Sequence, residues 1–304
     1  MNTKNLLHTN REAVRILVLE KLGKSESDME KDKVLLKKWI EFQKQLPEIP
    51  CDNFLEVFLI VNKFNLEKCK KKISNYYGIR HDMPELYIDK NPKLDHMQSI
   101  ANVVYAIPLP KLTPSLSRVT VIKLKDIDPE KFNIENFIAH TYNVVEIRVR
   151  EDMVLTDTVI YDMEGIQLGH LLKIRLAPMR KAVKVLEMVF STRLEALHYI
   201  NIPSSMQVLL NFVKAMLKEK MRKRIHVHKD WKQLHKHVPE EVLPEDYGGK
   251  CLTLNVLHGL WVEKFEECQE LFDYIEKFAR KEDKREGETI DSSINHDLKN
   301  ICID

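Results

Sequence analysis

Glycine is scarce in this chain, with eight residues in 304. Against that background the adjacent pair in Leu243-Pro-Glu-Asp-Tyr-Gly-Gly249 marks a backbone path closed to side-chained residues. Cysteine is also sparse: the five residues form no C-x-x-C pair and their number is odd. That excludes a paired disulfide framework and fits a reducing compartment. Long apolar runs are missing. Phe58-Leu-Ile-Val61 is typical, whereas a membrane span needs about 20 such residues. Met1 to Arg15 is polar and lacks the apolar stretch of a secretory leader, so a cytoplasmic protein is expected. A net charge of +2 provides no global attraction for nucleic acid. G-x-S-x-G, a P-loop, G-x-G-x-x-G and H-E-x-x-H are all absent. No catalytic residue, cofactor or metal is therefore assigned.

What is present suits a soluble globular protein with a sizeable core: 44% apolar and 31% charged residues. The first hundred residues read as helices. Val34, Leu35, Trp39, Phe42 and Leu46 recur at helical spacing until Pro47. Phe54 to Val61 begins a second apolar face, and Asn65 caps a third helix carrying Cys69, Ile73, Tyr76 and Tyr77. Pro84 to Pro114 holds five of the twelve prolines and reads as a connecting stretch. Beyond it the pattern alternates. Arg118–Leu124, Thr158–Asp162, Ala196–Ile200 and Ile225–His228 read as strands. Helices are expected over 130–150, from Ala177-Pro178 onward, and near 205–217. This predicts an α/β fold: an all-helical N-terminal module, then a mainly parallel sheet covered by helices. The boundaries expected are 1–95 for the module, 96–275 for the α/β domain and 276–304 for a charged tail.

Three clusters carry possible chemistry. In 204–217 the polar residues Gln207, Asn211 and Lys214 form one narrow stripe on an otherwise apolar helix. On pattern alone that describes first a core helix with one solvated edge, and only second a lid over a lipid. Five of the seven residues from Lys218 to Arg224 are basic. Such a run is a solvated face or a contact with an anionic leaflet, to which each cation contributes about 1 kcal/mol. With no aromatics interleaved, nucleic acid is not expected as a partner. His226-Val-His228 and His235-Lys-His237 match no recognised metal spacing and read as surface and packing residues. Asp162 and Glu164, at the end of a strand, read as carboxylates that hydrogen-bond the turn permitted by Gly165.

Several segments, in order, resemble one known family. Phe54-Leu-Glu-Val-Phe-Leu-Ile-Val-Asn-Lys-Phe64-Asn65, Lys68-Cys-Lys-Lys-Lys72 and Tyr76-Tyr77 resemble the helical module of the CRAL-TRIO lipid-binding proteins. Ile160-Tyr-Asp-Met-Glu-Gly165, Ile200-Asn-Ile-Pro203, Lys223-Arg-Ile-His-Val-His228 and the Gly-Gly segment resemble its lipid domain. The resemblance spans roughly residues 30 to 270 and is strongest to the branch of tocopherol-transfer and retinaldehyde-binding proteins. It implies a lipid cavity closed by a mobile lid helix and carriage of one hydrophobic ligand (tocopherol, retinoid, carotenoid or similar isoprenoid) without catalysis. The cavity wall would draw on Phe137, Thr141, Val185, Leu186, Phe190, Leu194 and Leu197, and the lid on Met206, Leu209, Leu210 and Val213. Thr141 or His140 would choose between ligands. For each apolar position, core packing competes with ligand contact. Burying about ten methylenes of a lipid contributes roughly 8 kcal/mol, or about micromolar affinity.

The resemblance also implies contact with phosphoinositide headgroups through Arg193, Lys220 and Arg224, with reversible peripheral attachment to an anionic membrane. Two departures qualify it. The family's arginine-bearing L-L-R-F-L-R-A-R stretch is represented here by Val57, Ile60 and Asn62, which weakens that basic surface. Members that transfer phosphatidylinositol carry Y-P-E-R, whereas Phe190-Ser-Thr-Arg193 lacks the glutamate, which argues against that lipid as bulk cargo. The competing function is a phosphoinositide-sensing adaptor that transfers no lipid.

Overall fold

The computed structural model describes residues 3, 6, 7, 11–190, 193–206, 210, 211, 214 and 219–282. Leu209, Val213, most of the expected 205–217 helix and the chain after 282 lie outside the described residues.

The N-terminal part folds as helices α1 (Arg11–Leu22), α2 (Glu26–Glu41), α3 (Asp52–Val61), α4 (Leu66–Asp82) and α5 (Asp95–Val103). Ser25 caps α2 in a reciprocal capping box with Asp28, and the Asn65 side chain accepts from the Lys68 N–H at the start of α4. Part of the expected apolar set is turned outward: Val34, Leu35 and Phe42 are exposed, Phe42 at 82%, while Trp39 and Leu46 pack half-buried against the core. Met29, Lys33, Leu36 and Ile40 are the buried set. The misleading residue is Lys33, whose ammonium is buried because Glu30, Asp52 and Glu56 surround it at 2.7–3.1 Å. Hydropathy assigns that position to solvent, and three carboxylates reverse the assignment.

Five strands follow among the described residues: β1 (Val104–Leu112), β2 (Ser117–Leu124), β3 (Thr156–Asp162), β4 (Leu194–Ile200) and β5 (Ile225–Val227). They stand in the order β1-β2-β3-β4-β5, with β1 antiparallel to β2 and the rest parallel. β1 lies within the proline-rich stretch that reads as a connection. Pro108 and Pro110 are tolerated there because β1 is an edge strand, where a missing N–H need not break a ladder. Between the parallel strands run α6 (Ile134–Glu151), then α7 (Leu168–Lys173) with α8 (Leu176–Val185), and finally a segment ending in α9 (Glu219–Arg222). The closing helices are α10 (Leu254–Glu267) and α11 (Gln269–Glu282). α11 continues past 276 as a docked helix, with Phe272, Ile275 and Ala279 buried and Phe278 edge-on to Tyr77.

A buried charge cluster ties α4 to α6. Arg80 donates to Glu146 at 2.5 Å, the Tyr76 hydroxyl donates to the same carboxylate, and Arg150 bonds both Glu146 and Tyr76. Arg118, on β2, is held by both oxygens of Asp152 and by the carbonyls of Leu109 and Pro110. The two guanidiniums beside it, Arg118 and Arg148, hold the Asp152 carboxyl down to about 2 against the opposing effect of its burial.

Candidate functional site: an apolar cavity over the sheet

In parallel register, Ile122, Tyr161 and Tyr199 lie side by side across β2, β3 and β4. They form the floor of a cavity of about 270 Å³. Phe137, Ile138 and Thr141 of α6 wall one side, and Met179, Val183 and Leu186 wall the other. Ile202, Met206 and Leu210, from the β4–β5 connection, complete the lining. A concave, mainly apolar enclosure with few polar groups is the usual form of a small-molecule site.

The strand ends are fixed by Asp162. Its Oδ1 accepts from the Glu164 N–H at 3.1 Å and from the Asn201 side chain at 2.8 Å. Its Oδ2 accepts from Lys123 Nζ at 2.8 Å and from the Tyr247 hydroxyl at 3.0 Å. Lys123 also reaches Glu164. Burial opposes the charge of Lys123, but these two carboxylates outweigh it and raise its pKa. Three separate sequence motifs thus meet on one carboxylate: the Asp-Met-Glu-Gly turn, Asn201 and the Gly-Gly segment. Gly165 and Gly248 adopt positive φ of 79° and 67°. A Cβ at Gly249 would overlap the Leu243 carbonyl, and one at Gly248 would sit 2.7 Å from the Trp231 ring. The pair is a packing closure that presents Tyr247 to Asp162.

Of the residues expected in the cavity wall, Phe137, Thr141, Leu186, Met206 and Leu210 line this space. The others lie elsewhere. His140 is on another face of α6, buried against the Phe265 ring of α10 at 5.4 Å. Burial, with His258 nearby, pushes its pKa down to about 4. Val185 is fully buried. Phe190 packs on Tyr76 and Tyr142, toward the N-terminal helices. Leu194 and Leu197 are half-buried on β4 and outside the lining. The Thr141 hydroxyl donates to Phe137 O in its own helix.

Arg193 and Arg224 precede β4 and β5, at the strand ends opposite Asp162. Arg224 donates to the Leu194 carbonyl, and Nη1 of Arg193 is buried with no partner among the described residues. Lys220 is exposed on α9. The histidines gather on the sheet face away from the cavity: His198, His226, His228 and His237 have ring centroids 5.1–6.4 Å apart. His198 Nδ1 and His228 Nε2 share a hydrogen bond of 2.8 Å. Among the described residues no group of three or more His, Cys, Asp or Glu side chains is arranged to hold a metal ion.

Sequence reading missed the floor residues Tyr161 and Tyr199. The available signal was the two-residue alternation in Ile160-Tyr161 and His198-Tyr199, which puts the tyrosines on the face opposite the buried Ile160 and His198. It also missed Leu168 and Leu172 on α7, which stand 67% and 78% exposed close in sequence to the cavity residue Ile166.

Comparison with known proteins agrees with this geometry. The family model "CRAL/TRIO domain" matches residues 102–249, the span that builds the sheet and cavity. The chain carries a CRAL-TRIO domain. A second model, "Pinta-like, UBA domain", matches residues 25–97, the helices preceding it. The mouse alpha-tocopherol transfer protein-like protein is 27% identical over 232 residues, covering 75% of this chain and 66% of its own length. The human protein of that name is 27% identical over 201 residues, 65% of this chain and 58% of its own. Rat clavesin-2 is 20% identical over 201 residues, covering 65% and 62% respectively. The chain thus spans somewhat under two thirds of the length of these relatives. The crystal structure of Sfh5 aligns with a TM-score of 0.49 at 13% identity, covering 81% of this chain and 99% of that one. Among the described residues no helix is long and apolar enough to cross a membrane.

Proposed function

We propose that this protein carries one hydrophobic small molecule between membranes: a tocopherol, retinoid, carotenoid or similar isoprenoid. The observation that carries the reading is the half-open apolar cavity built by the CRAL-TRIO span, with Met206 and Leu210 of the β4–β5 connection in its lining. Residues 1–95 serve as a helical module and 96–275 as the lipid domain. The segment around Met206 and Leu210 acts as the lid. The ligand contacts are Phe137, Thr141, Leu186, Met206 and Leu210, with Leu209 and Val213 contributed by the same connection.

Docking is peripheral, reversible and from the cytoplasm. Arg193, Lys220 and Arg224 supply charge toward a phosphoinositide-containing leaflet, Lys220 from an exposed position on α9. The exposed Leu168 and Leu172 supply apolar area beside the cavity. Native mass spectrometry of protein purified with its cellular lipids tests the carrier: one bound hydrophobic molecule is expected, and Leu186→Trp should exclude it. A cavity that takes up none of the tested isoprenoids overturns the reading.

The retained Arg193, Lys220 and Arg224 also favour a second reading, a phosphoinositide-sensing adaptor. Charge reversal of Arg193, Lys220 and Arg224 should abolish vesicle binding under either reading. Only the adaptor retains its cellular role when Leu186→Trp fills the cavity.

A further inference from the structure

The polar groups that line the cavity are few, and most are already engaged. Thr141 donates to Phe137 O at 3.0 Å and the Tyr142 hydroxyl to Ala182 O at 2.8 Å. Lys123 and Asp162 bond each other and the turn. Two groups remain. Tyr161 and Tyr199 face each other across β3 and β4, their rings stacked at 5.0 Å and within 12° of parallel. Among the described residues neither hydroxyl has a hydrogen-bond partner.

The rings are half-exposed by area, yet burial raises both phenol pKa values, with Tyr161 adding to the effect on Tyr199. Both residues line the half-open cavity, and both phenols stay protonated as donors. A ligand that displaces water from these hydroxyls must either pair with them or leave them unsatisfied, which is unfavourable. A phenylalanine pair would fill the same floor without that penalty. The stacking sets the two phenol rings side by side, so together they offer donors and acceptors in a mainly apolar wall.

We propose that the Tyr161–Tyr199 pair is a polar reading head for the ligand, selecting an uncharged lipid that bears a hydroxyl or carbonyl over a pure hydrocarbon of the same shape. This rests on the carrier reading and deepens it by naming the ligand's one polar group and the residues that receive it. It also moves selectivity from Thr141 and His140 to the sheet floor.

The test uses the full chain and two probes, geranylgeraniol and the C20 hydrocarbon that lacks its hydroxyl, titrated in native mass spectrometry. One neutral hydrogen bond corresponds to about a fivefold preference. The wild-type chain should therefore favour the alcohol by about fivefold or more. In the double variant Tyr161→Phe/Tyr199→Phe that ratio should fall to near one. The single variants, each losing part of the preference, carry the test should the double variant not fold. A wild-type ratio near one, or a ratio that survives in the variants, overturns the proposal while the carrier reading stands. Failure of the wild-type chain to bind either probe removes the carrier reading and the proposal with it.

Discussion

The two faces of the central sheet are one residue apart along every strand and are built to opposite ends. On one face Ile122, Tyr161 and Tyr199 look into open space. On the other, Val121 and Ile160 are fully buried and His198 is 2% exposed, packed among His226, His228 and His237. A protein interior ordinarily fills such space to crystal-like density. The same strands therefore do two jobs: one face contributes stability through packing, and the other borders the cavity to which the proposed function assigns a ligand. The difference teaches that burial alone does not identify a core residue here; the face of the strand does.

The largest expected effect tests the packed face. Ile160→Ala removes a fully buried side chain from the middle of β3 and should cost about 3–4 kcal/mol, read as a fall in urea midpoint without change in slope. A loss under 1 kcal/mol would mean that this face is no better filled than the cavity.

Next in size is a pH effect confined to that face. Burial, together with the neighbouring His228, His226 and His237, pushes the pKa of His198 down to about 3. In the unfolded chain the same ring titrates near 6.5. Below pH 6.5 the unfolded chain therefore takes up a proton that the native state refuses. Stability present at neutral pH is lost as pH falls, at about 1.4 kcal/mol per pH unit for this histidine, until its native value is reached. His140 and His258, both pushed down to about 4, act in the same direction. Urea midpoints at pH 7.5 and 5.5 should show the loss, and His198→Phe should flatten it by that residue's share.

Tyr247→Phe tests the junction where the two faces meet. It removes one of four hydrogen bonds to Asp162, and the carboxylate keeps Lys123, Asn201 and the Glu164 N–H. The expected cost is about 1 kcal/mol, measured by thermal melting. A loss of several kcal/mol would make the Gly-Gly closure a larger support of the sheet than its contacts indicate.

Legibility in the sequence follows the same division. Strands β2 to β5 and helix α6 were readable because their periodicity is local. β1 was not, since Pro108 and Pro110 suit a strand only once it is known to be at an edge. The face of α2 was misread because the burial of Lys33 depends on Asp52 and Glu56 from another helix. At the site, family likeness pointed to Phe137 and Thr141 of α6, to Leu186, and to Met206 and Leu210 of the β4–β5 connection, all of which line the cavity. Tyr161 and Tyr199 were passed over because an aromatic strand residue resembles core until the opposing space is known to be empty. His140 failed for the converse reason: its helix borders both the cavity and α10, and one helical turn decides which it meets.

The smallest stability effect sharpens the contrast most. Ile122 has the same parallel register to Tyr161 that Val121 has to Ile160, but it is half-buried and faces the cavity. Truncating it should leave native packing nearly intact, because few atoms oppose it on the cavity side and the lost dispersion contacts are correspondingly few. Ile122→Ala should therefore cost under about 1 kcal/mol in the ligand-free chain, against about 3–4 kcal/mol for Ile160→Ala on the next strand. With an isoprenoid bound the ranking should change, since the ligand then supplies the missing contacts. The stabilisation conferred by saturating geranylgeraniol, read as a melting shift, should be smaller in Ile122→Ala than in the wild-type chain and unchanged in its proportion to free stability for Ile160→Ala. Equal costs for the two truncations without ligand would show that the floor is core in the ordinary sense, and that the space above it closes when nothing occupies it.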